Sequence, residues 1–297
     1  MVVLSLAMFS SLIRLARPTQ WLKNGILLAP LVFAGVMTET DRVLTALVAT
    51  GLFCLLSSAI YVFNDLIDCE KDRQHPIKKS RPIASGKVSK PVAATMMILL
   101  IVLGLVLAWP INREFFFVSI AFVALNLIYT IWFKNVVIVD AMSVAISFVI
   151  RAYAGALAID VPASKWLLIN TLLLALFLAF GKRRHELVFL DENATAHRKI
   201  LSKYSPYLLD QLIGVVTPAV VVMYMLYSFS TEVSVKLGTE NLFLTIPFVV
   251  YGIFRYLYLI HKEEKGGSPT RVLITDQPIL LTVVLWVLTA VVVLYYI

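Results

Sequence analysis

Nine stretches of this 297-residue chain are apolar enough, and long enough, to cross a bilayer, and their recurrence leaves few folds open. They lie at about 19 to 37, 43 to 68, 91 to 111, 115 to 133, 136 to 159, 165 to 181, 207 to 229, 242 to 260 and 278 to 297. A hydrocarbon layer ~30 Å thick needs about 20 helical residues to span it. With 60% hydrophobic residues, 15% charged residues and a mean hydropathy of +0.88, the chain is too apolar for a water-soluble globule. In lipid a spanning segment must satisfy its own backbone, and runs of this length do so as helices. The expected fold is therefore all-α: a polytopic membrane protein, a bundle of nine transmembrane helices with a cytoplasm-facing polar cavity. No linker rich in Gly, Pro or Ser divides it, so residues 1–297 read as one domain.

The net charge of +8 is spread in short Lys and Arg runs between apolar segments, not in a continuous stripe, so nucleic acid is not an expected partner. Placing the N-terminus inside puts 21 of the 26 Lys and Arg on the cytoplasmic side and four opposite, with Arg151 within a span. The positive-inside rule favours that orientation, with the C-terminus outside. Residues 1–11 lack a basic start and a small-residue cleavage pattern, so no cleaved signal peptide is expected. Cys54 and Cys69 make no disulfide framework, and His185, His197 and His261 lack the spacing of transition-metal ligands.

Acids are rare in such a chain, yet the second apolar run ends in Asn64, Asp65, Asp68 and Asp72. A carboxylate costs roughly 2.5 to 3.5 kcal/mol at the centre of a membrane helix and less near its ends, so several together call for a partner. On a helix Asn64, Asp68 and Asp72 fall at i, i+4 and i+8, with Asp65 three before Asp68, which lines oxygen donors along one face. Such a face suits a divalent cation. The cations that follow, Lys78, Lys79 and Arg81, point to a Mg2+-diphosphate site. His75-Pro76 and Arg81-Pro82 restrict the backbone, which makes Lys78 and Arg81 the expected phosphate ligands, whereas Lys87 and Lys90 read as a topology signal.

The pattern NDxxDxxxD at this place resembles the first aspartate-rich motif of the UbiA-type membrane prenyltransferase superfamily. Its continuation HPxKxxRPxxxG, from His75 to Gly86, is most similar to the decaprenyl-phosphate phosphoribosyltransferase branch. Arg17 to Asn24 looks like that branch's RPxQWxKN opening, and Ile246 to Tyr258 carries a further match, so the resemblance runs from residue 17 to about 276. In the first span Gln20, Trp21, Lys23 and Asn24 are expected at or just inside the cytoplasmic edge, since Asn24 to Met37 is too short to span alone. The resemblance implies that Lys23 and Asn24 face the cavity and an anionic substrate.

After the sixth span comes Lys182-Arg183-Arg184-His185-Glu186, followed by a polar stretch through Asp191, Glu192, Arg198, Lys199, Lys203 and Tyr204. Aromatic-substrate members of the superfamily have a second aspartate-rich motif at about this place. Cations bind phosphate oxygens directly where carboxylates need a metal, so this departure fits the phosphoribosyltransferase branch better than ordinary prenyl transfer. Between the fourth and fifth spans, Asn126, Tyr129, Lys134 and Asn135 close a short turn. Asp140 and Arg151, eleven residues apart, can share one face of the next helix, as a functional or a structural pair.

The resemblance implies transfer of a 5-phosphoribosyl group from phosphoribosyl diphosphate to a polyprenyl phosphate, with release of diphosphate. In that reading Asn64, Asp65, Asp68 and Asp72 hold Mg2+, and Asp68, Asp72, Lys78 and Arg81 act on the leaving diphosphate. Lys134, Lys182, Arg183 and Arg184 grip the donor's phosphates, and Glu186 bonds the ribose hydroxyls or orients Lys182. Tyr129 and Tyr204 complete the substrate contacts, and Lys23, Asn24 and Arg151 are candidates for the lipid phosphate. The alternatives are transfer of a prenyl group from a polyprenyl diphosphate to an aromatic or other small acceptor, and transport of an anionic solute. No inverted repeat with paired broken helices supports the last.

Overall fold

The structure, a computed structural model, describes residues 6–76, 78–189, 199–263 and 266–296. The apolar runs become α-helices, and no strand occurs among the described residues. In chain order the helices are α1 Leu6–Ala16, α2 Ala29–Phe33, α3 Thr40–Ile67, α4 Cys69–Gln74, α5 Lys90–Ala108, α6 Arg113–Ile131 and α7 Val139–Ala158. They continue as α8 Lys165–Phe189, α9 Pro206–Ser228, α10 Thr231–Leu237, α11 Ile246–His261, α12 Pro269–Thr275 and α13 Gln277–Tyr295. Several starts are set by short polar side chains that accept a backbone N–H of the first turn: Asn112 from Phe115, Ser205 from Leu208, Asp276 from Ile279. Among the described residues eight helices are long and apolar enough to cross a membrane: α3, α5 to α9, Asn241–His261 (a 3-10 turn leading into α11) and α13. The chain is an integral, multi-pass membrane protein.

The first expected span takes a different form. It is no continuous helix but a 3-10 segment, Pro18–Leu28, followed by the short α2. At about 2.0 Å per 3-10 residue and 1.5 Å per α residue the two together reach roughly 30 Å, a bilayer's thickness from sixteen residues. The segment runs antiparallel to α3 through a ladder of side-chain bonds. Arg17 bonds Asp65, Trp21 Nε1 donates to Ser58 Oγ at 2.9 Å, and Asn24 meets Ser57 at 3.2 Å and Cys54 at 3.3 Å. Ser57 stands eleven residues before Asp68 on α3, about 16 Å at 1.5 Å per residue. Asn24 and Trp21 therefore lie well below the carboxylate end, not at the edge where a spanning α-helix would put them.

Close packing holds this unusual segment in place. A side chain at Gly155 of α7 would put its Cβ 2.2 Å from the Leu27 carbonyl oxygen, so only glycine admits the approach. One apolar core, with Phe53, Leu56, Phe115 and Phe122 at its centre, joins α3, α5, α6 and α7; a second, with Phe177, Leu209, Ile253 and Leu259, joins α8, α9 and α11. The loop after α4 is pinned by Ile83 and Val88, buried against Leu15, Val62 and Ala93, and turns at Gly86 with φ 76°. That φ is the reason for a glycine there. The polar ends of α3, α6, α7 and α8 consequently meet at one end of the bundle.

Candidate active site

The acidic motif forms where α3 breaks and restarts. Asp68 is the joint between α3 and α4, but helical bonding continues across it, with Asp68 N–H on the Asn64 carbonyl at 2.9 Å and Asp72 N–H on the Asp68 carbonyl at 2.8 Å. Asp65 and Asp72 share Arg81, whereas Asn64 and Asp68 meet Thr130 and Lys134 at the end of α6. Each oxygen donor has a partner from elsewhere in the chain. Asp65, 2% exposed, is closed in by Arg17 and by Arg81 Nη1 at 3.1 Å; the same Nη1 reaches Asp72 Oδ2 at 2.6 Å. Lys134 Nζ sits on Asp68 at 2.7 and 3.0 Å, and the Thr130 hydroxyl donates to Asn64. Lys78 stands beside this group, its backbone N–H on His75 Nδ1 at 3.3 Å. Burial, with the neighbouring Arg81 charge, holds the Lys78 pKa below the usual lysine range, against the pull of Asp72 and Glu186.

Lys134 belongs to a turn that ties this cluster to the second one. Ile138 (φ 67°, ψ −46°) is the centre of a strained γ-turn closed by Val139 N–H on the Val137 carbonyl at 2.8 Å. A β-branched residue rarely takes that conformation. The Ile138 N–H donates to the Tyr204 hydroxyl at 2.7 Å, and that hydroxyl donates to Asp140 Oδ1 at 2.8 Å. Burial, reinforced by the Asp140 carboxylate, pushes the Tyr204 pKa up to about 12, so it stays a donor. Asp140, fully buried, also accepts from Arg183 Nε at 2.6 Å, and Arg183 Nη1 donates to Glu186 at 2.6 Å.

The expected residues are thus brought together unequally. Asn64, Asp65, Asp68, Asp72, Lys78, Arg81 and Lys134 form one cluster. Lys182 lies one turn from Glu186 with its Nζ at 3.6 Å, and it interacts electrostatically with Lys23 and Tyr129. Tyr129 is also within electrostatic reach of Arg183. Arg183, 3% exposed, is held between Asp140 and Glu186, and Arg184 pairs with Asp210 on α9, which His261 also meets at 3.3 Å. Both polar functions of the Tyr204 hydroxyl are spent inside the fold, which makes it a bracket for the turn. Asp140 and Arg151 do not pair: the aspartate turns to α8, whereas Arg151 Nε donates to Asn24 Oδ1 at 2.9 Å. Of the polar stretch after Glu186, Asp191, Glu192, His197 and Arg198 lie outside the described residues.

Arg17 and Tyr61 are the residues that sequence reasoning passed over. Arg17 stacks over the Tyr61 ring at 5.1 Å and Lys23 over it at 5.9 Å, so one aromatic face links the carboxylate cluster to the 3-10 segment. The only signal for Tyr61 was its place one turn before Asp65.

The class of protein defined here is an integral membrane helical bundle with a carboxylate cluster and a cation cluster at one end. The chain belongs to the UbiA prenyltransferase family, whose family model matches residues 26–275. A decaprenyl-phosphate phosphoribosyltransferase of Mycolicibacterium smegmatis is 34% identical over 97% of this chain and 93% of its own length. One of Corynebacterium glutamicum is 31% identical over 96% and 86%. The structure of a UbiA homolog from Archaeoglobus fulgidus bound to DMAPP and Mg2+ aligns over 97% of this chain and 100% of that one, with a TM-score of 0.72. At 18% identity that likeness speaks for the fold.

Proposed function

We propose that the protein transfers a 5-phosphoribosyl group from phosphoribosyl diphosphate to a polyprenyl phosphate, releasing diphosphate, on the cytoplasmic side of the membrane. One observation carries this reading. In a chain similar over nearly its whole length to decaprenyl-phosphate phosphoribosyltransferases, the described residue that comes to the acid cluster from α8 is a cation, Lys182, beside Glu186.

The donor set of Asn64, Asp68 and Asp72 is all oxygen, which fits Mg2+ and not an ion that seeks thiolate or imidazole. Asp65 is the least available member, being enclosed by two arginines, and among the described residues no three His, Cys, Asp or Glu side chains already converge as a metal site. Mg2+ bound there would neutralise charge developing on the leaving diphosphate. Arg81 uses only Nη1 for its two carboxylates, which leaves its other nitrogens to meet phosphate oxygens in this reading. Lys78 and Lys134 flank the same place, and Lys182 approaches from α8. The bond from the ribose anomeric carbon to the diphosphate oxygen breaks with its electron pair on diphosphate, while an oxygen of the lipid phosphate supplies the pair for the new bond. The acceptor is already an anion, so no general base is needed. Positioning and stabilisation of the leaving charge then carry the rate.

The test is incubation of the purified protein in detergent with a polyprenyl phosphate, phosphoribosyl diphosphate and Mg2+, followed by mass spectrometry of the lipid. A chelator-sensitive gain of one phosphoribosyl group is expected. Consumption of a polyprenyl diphosphate with an aromatic acceptor, and no such gain, would overturn the reading.

A further inference from the structure

Tyr61 stands on the face of α3 that also carries Ser57, Asn64 and Asp68, since helical spacing sets the four within about 60° of one another. It lies one turn, about 6 Å, after Ser57 and two turns, about 10 Å, before Asp68. Between the level where Ser57 meets Asn24 and the level of the carboxylates, it is the residue this face presents. Its ring is fixed: Arg17 and Lys23 lie over it at 5.1 and 5.9 Å, and Arg17 is itself tied to Asp65. Its hydroxyl is not. The hydroxyls of Tyr204, Tyr224 and Tyr258 bond Asp140, Thr245 and Glu263, whereas that of Tyr61 makes no hydrogen bond among the described residues.

That hydroxyl is within electrostatic reach of Lys182 on α8, Arg17 at the start of the 3-10 segment and Arg151 on α7. Positive charge on three sides polarises the O–H and makes it a better donor, and a part-buried donor left without an acceptor costs free energy. The group calls for an oxygen from a ligand. Glu186 is committed elsewhere: its Oε2 accepts from Arg183 at 2.6 Å and its Oε1 faces Lys182 at 3.6 Å, so it orients the cation and leaves a sugar to another residue. We propose that the Tyr61 hydroxyl donates a hydrogen bond to a hydroxyl of the donor's ribose and so selects a sugar donor over a prenyl one. This inference deepens the phosphoribosyl-transfer reading and rests on it.

The placement suits that role. A diphosphate gripped at the Asp68 end occupies much of the two turns that separate it from Tyr61, which brings the attached sugar beside the ring. A ribose there meets a polar hydroxyl with a hydroxyl of its own. A prenyl chain in the same place offers no oxygen and leaves the Tyr61 O–H unpaired, and a site built to bond a hydroxyl discriminates against a group that lacks one. The ring and the hydroxyl thus have separate tasks: the first holds Arg17 and Lys23, the second reads the donor.

The experiment compares phosphoribosyl diphosphate with its 2-deoxy and 3-deoxy analogues, each as substrate or inhibitor, in the wild type and in Tyr61→Phe, which keeps the ring and removes only the hydroxyl. The wild type should bind one of the two analogues about tenfold more weakly than the natural donor. Tyr61→Phe should close that gap by raising the natural donor's KM about tenfold, with KM for the lipid within about twofold and Tm unchanged. A gap that persists in Tyr61→Phe overturns the contact, as does a shift confined to the lipid KM. A wild type that binds all three donors alike overturns it without any variant, so the result does not depend on how Tyr61→Phe folds. A wild-type protein that forms no phosphoribosyl lipid overturns the functional reading instead.

Discussion

Asp68 and Asp72 sit in different settings, since one is part-exposed and carries Lys134 and the other is buried against Arg81. Asp68→Asn and Asp72→Asn should each lower kcat roughly a hundredfold or more while the protein still inserts and purifies from membranes. Near-normal turnover in both would rule out their role as metal ligands. Lys78 offers a pH signature. Because burial and Arg81 depress its pKa, it sheds its charge at a lower pH than a free lysine, so the alkaline limb of the rate profile should begin early. Lys78→Arg should push that limb upward; an unchanged profile would exclude Lys78 as the group that titrates. At this scale the sequence was informative where polar side chains recur one turn apart along a short stretch, as at Asn64, Asp68 and Asp72. It gave Arg17 only as the start of a motif and nothing for Tyr61, whose contacts reach 48 residues away or meet at a shared ring. Arg184 and Asp140 show the same limit, since each finds its partner on another helix.

Two departures from regular helix carry residues of the candidate site. The 3-10 segment Pro18–Leu28 keeps its place because α7 has no side chain at position 155. Gly155→Ala should cost about 1 to 3 kcal/mol through overpacking, seen as a lowered Tm, and should also weaken binding of the lipid because Lys23 and Asn24 move with the segment. The γ-turn at Ile138 lies between Lys134, which serves the carboxylates, and Asp140, which holds Arg183. Tyr204→Phe leaves the Ile138 N–H and one Asp140 oxygen without their bonds, a loss of about 1 to 3 kcal/mol in stability. Its KM for phosphoribosyl diphosphate should rise as well, because the turn sets both clusters. A variant with wild-type Tm and kinetics would reduce the turn to a passive link. Helix lengths alone, by contrast, were legible: the apolar runs from residue 43 onward match the eight spans to within a few residues at most ends.

For the whole molecule, the charge distribution makes a topological prediction. Cysteine-accessibility labelling in intact vesicles should find the N-terminal end of the chain and the 75–89 loop on the cytoplasmic side and the C-terminal end on the other, which requires the broken first segment to cross as the ninth span. Both ends on one side would mean that it does not. The composition and the spacing of apolar runs by themselves determined that this chain is a membrane-spanning helical bundle, because hydrocarbon admits only segments that satisfy their own backbone. The acidic motif was likewise legible as a cluster, since helical spacing alone sets Asn64, Asp68 and Asp72 one turn apart. Tertiary structure alone decided which cations face which acids. It took Arg183 and Arg184 into ion pairs with Asp140 and Asp210, and it carried Asn24 down to Arg151 on a 3-10 ladder. Among the described residues it gave Arg151 and Lys23 no carboxylate partner. Pairing between helices depends on their crossing and rotation, which are fixed by close contacts such as Gly155 against Leu27, and no periodicity along one helix encodes them.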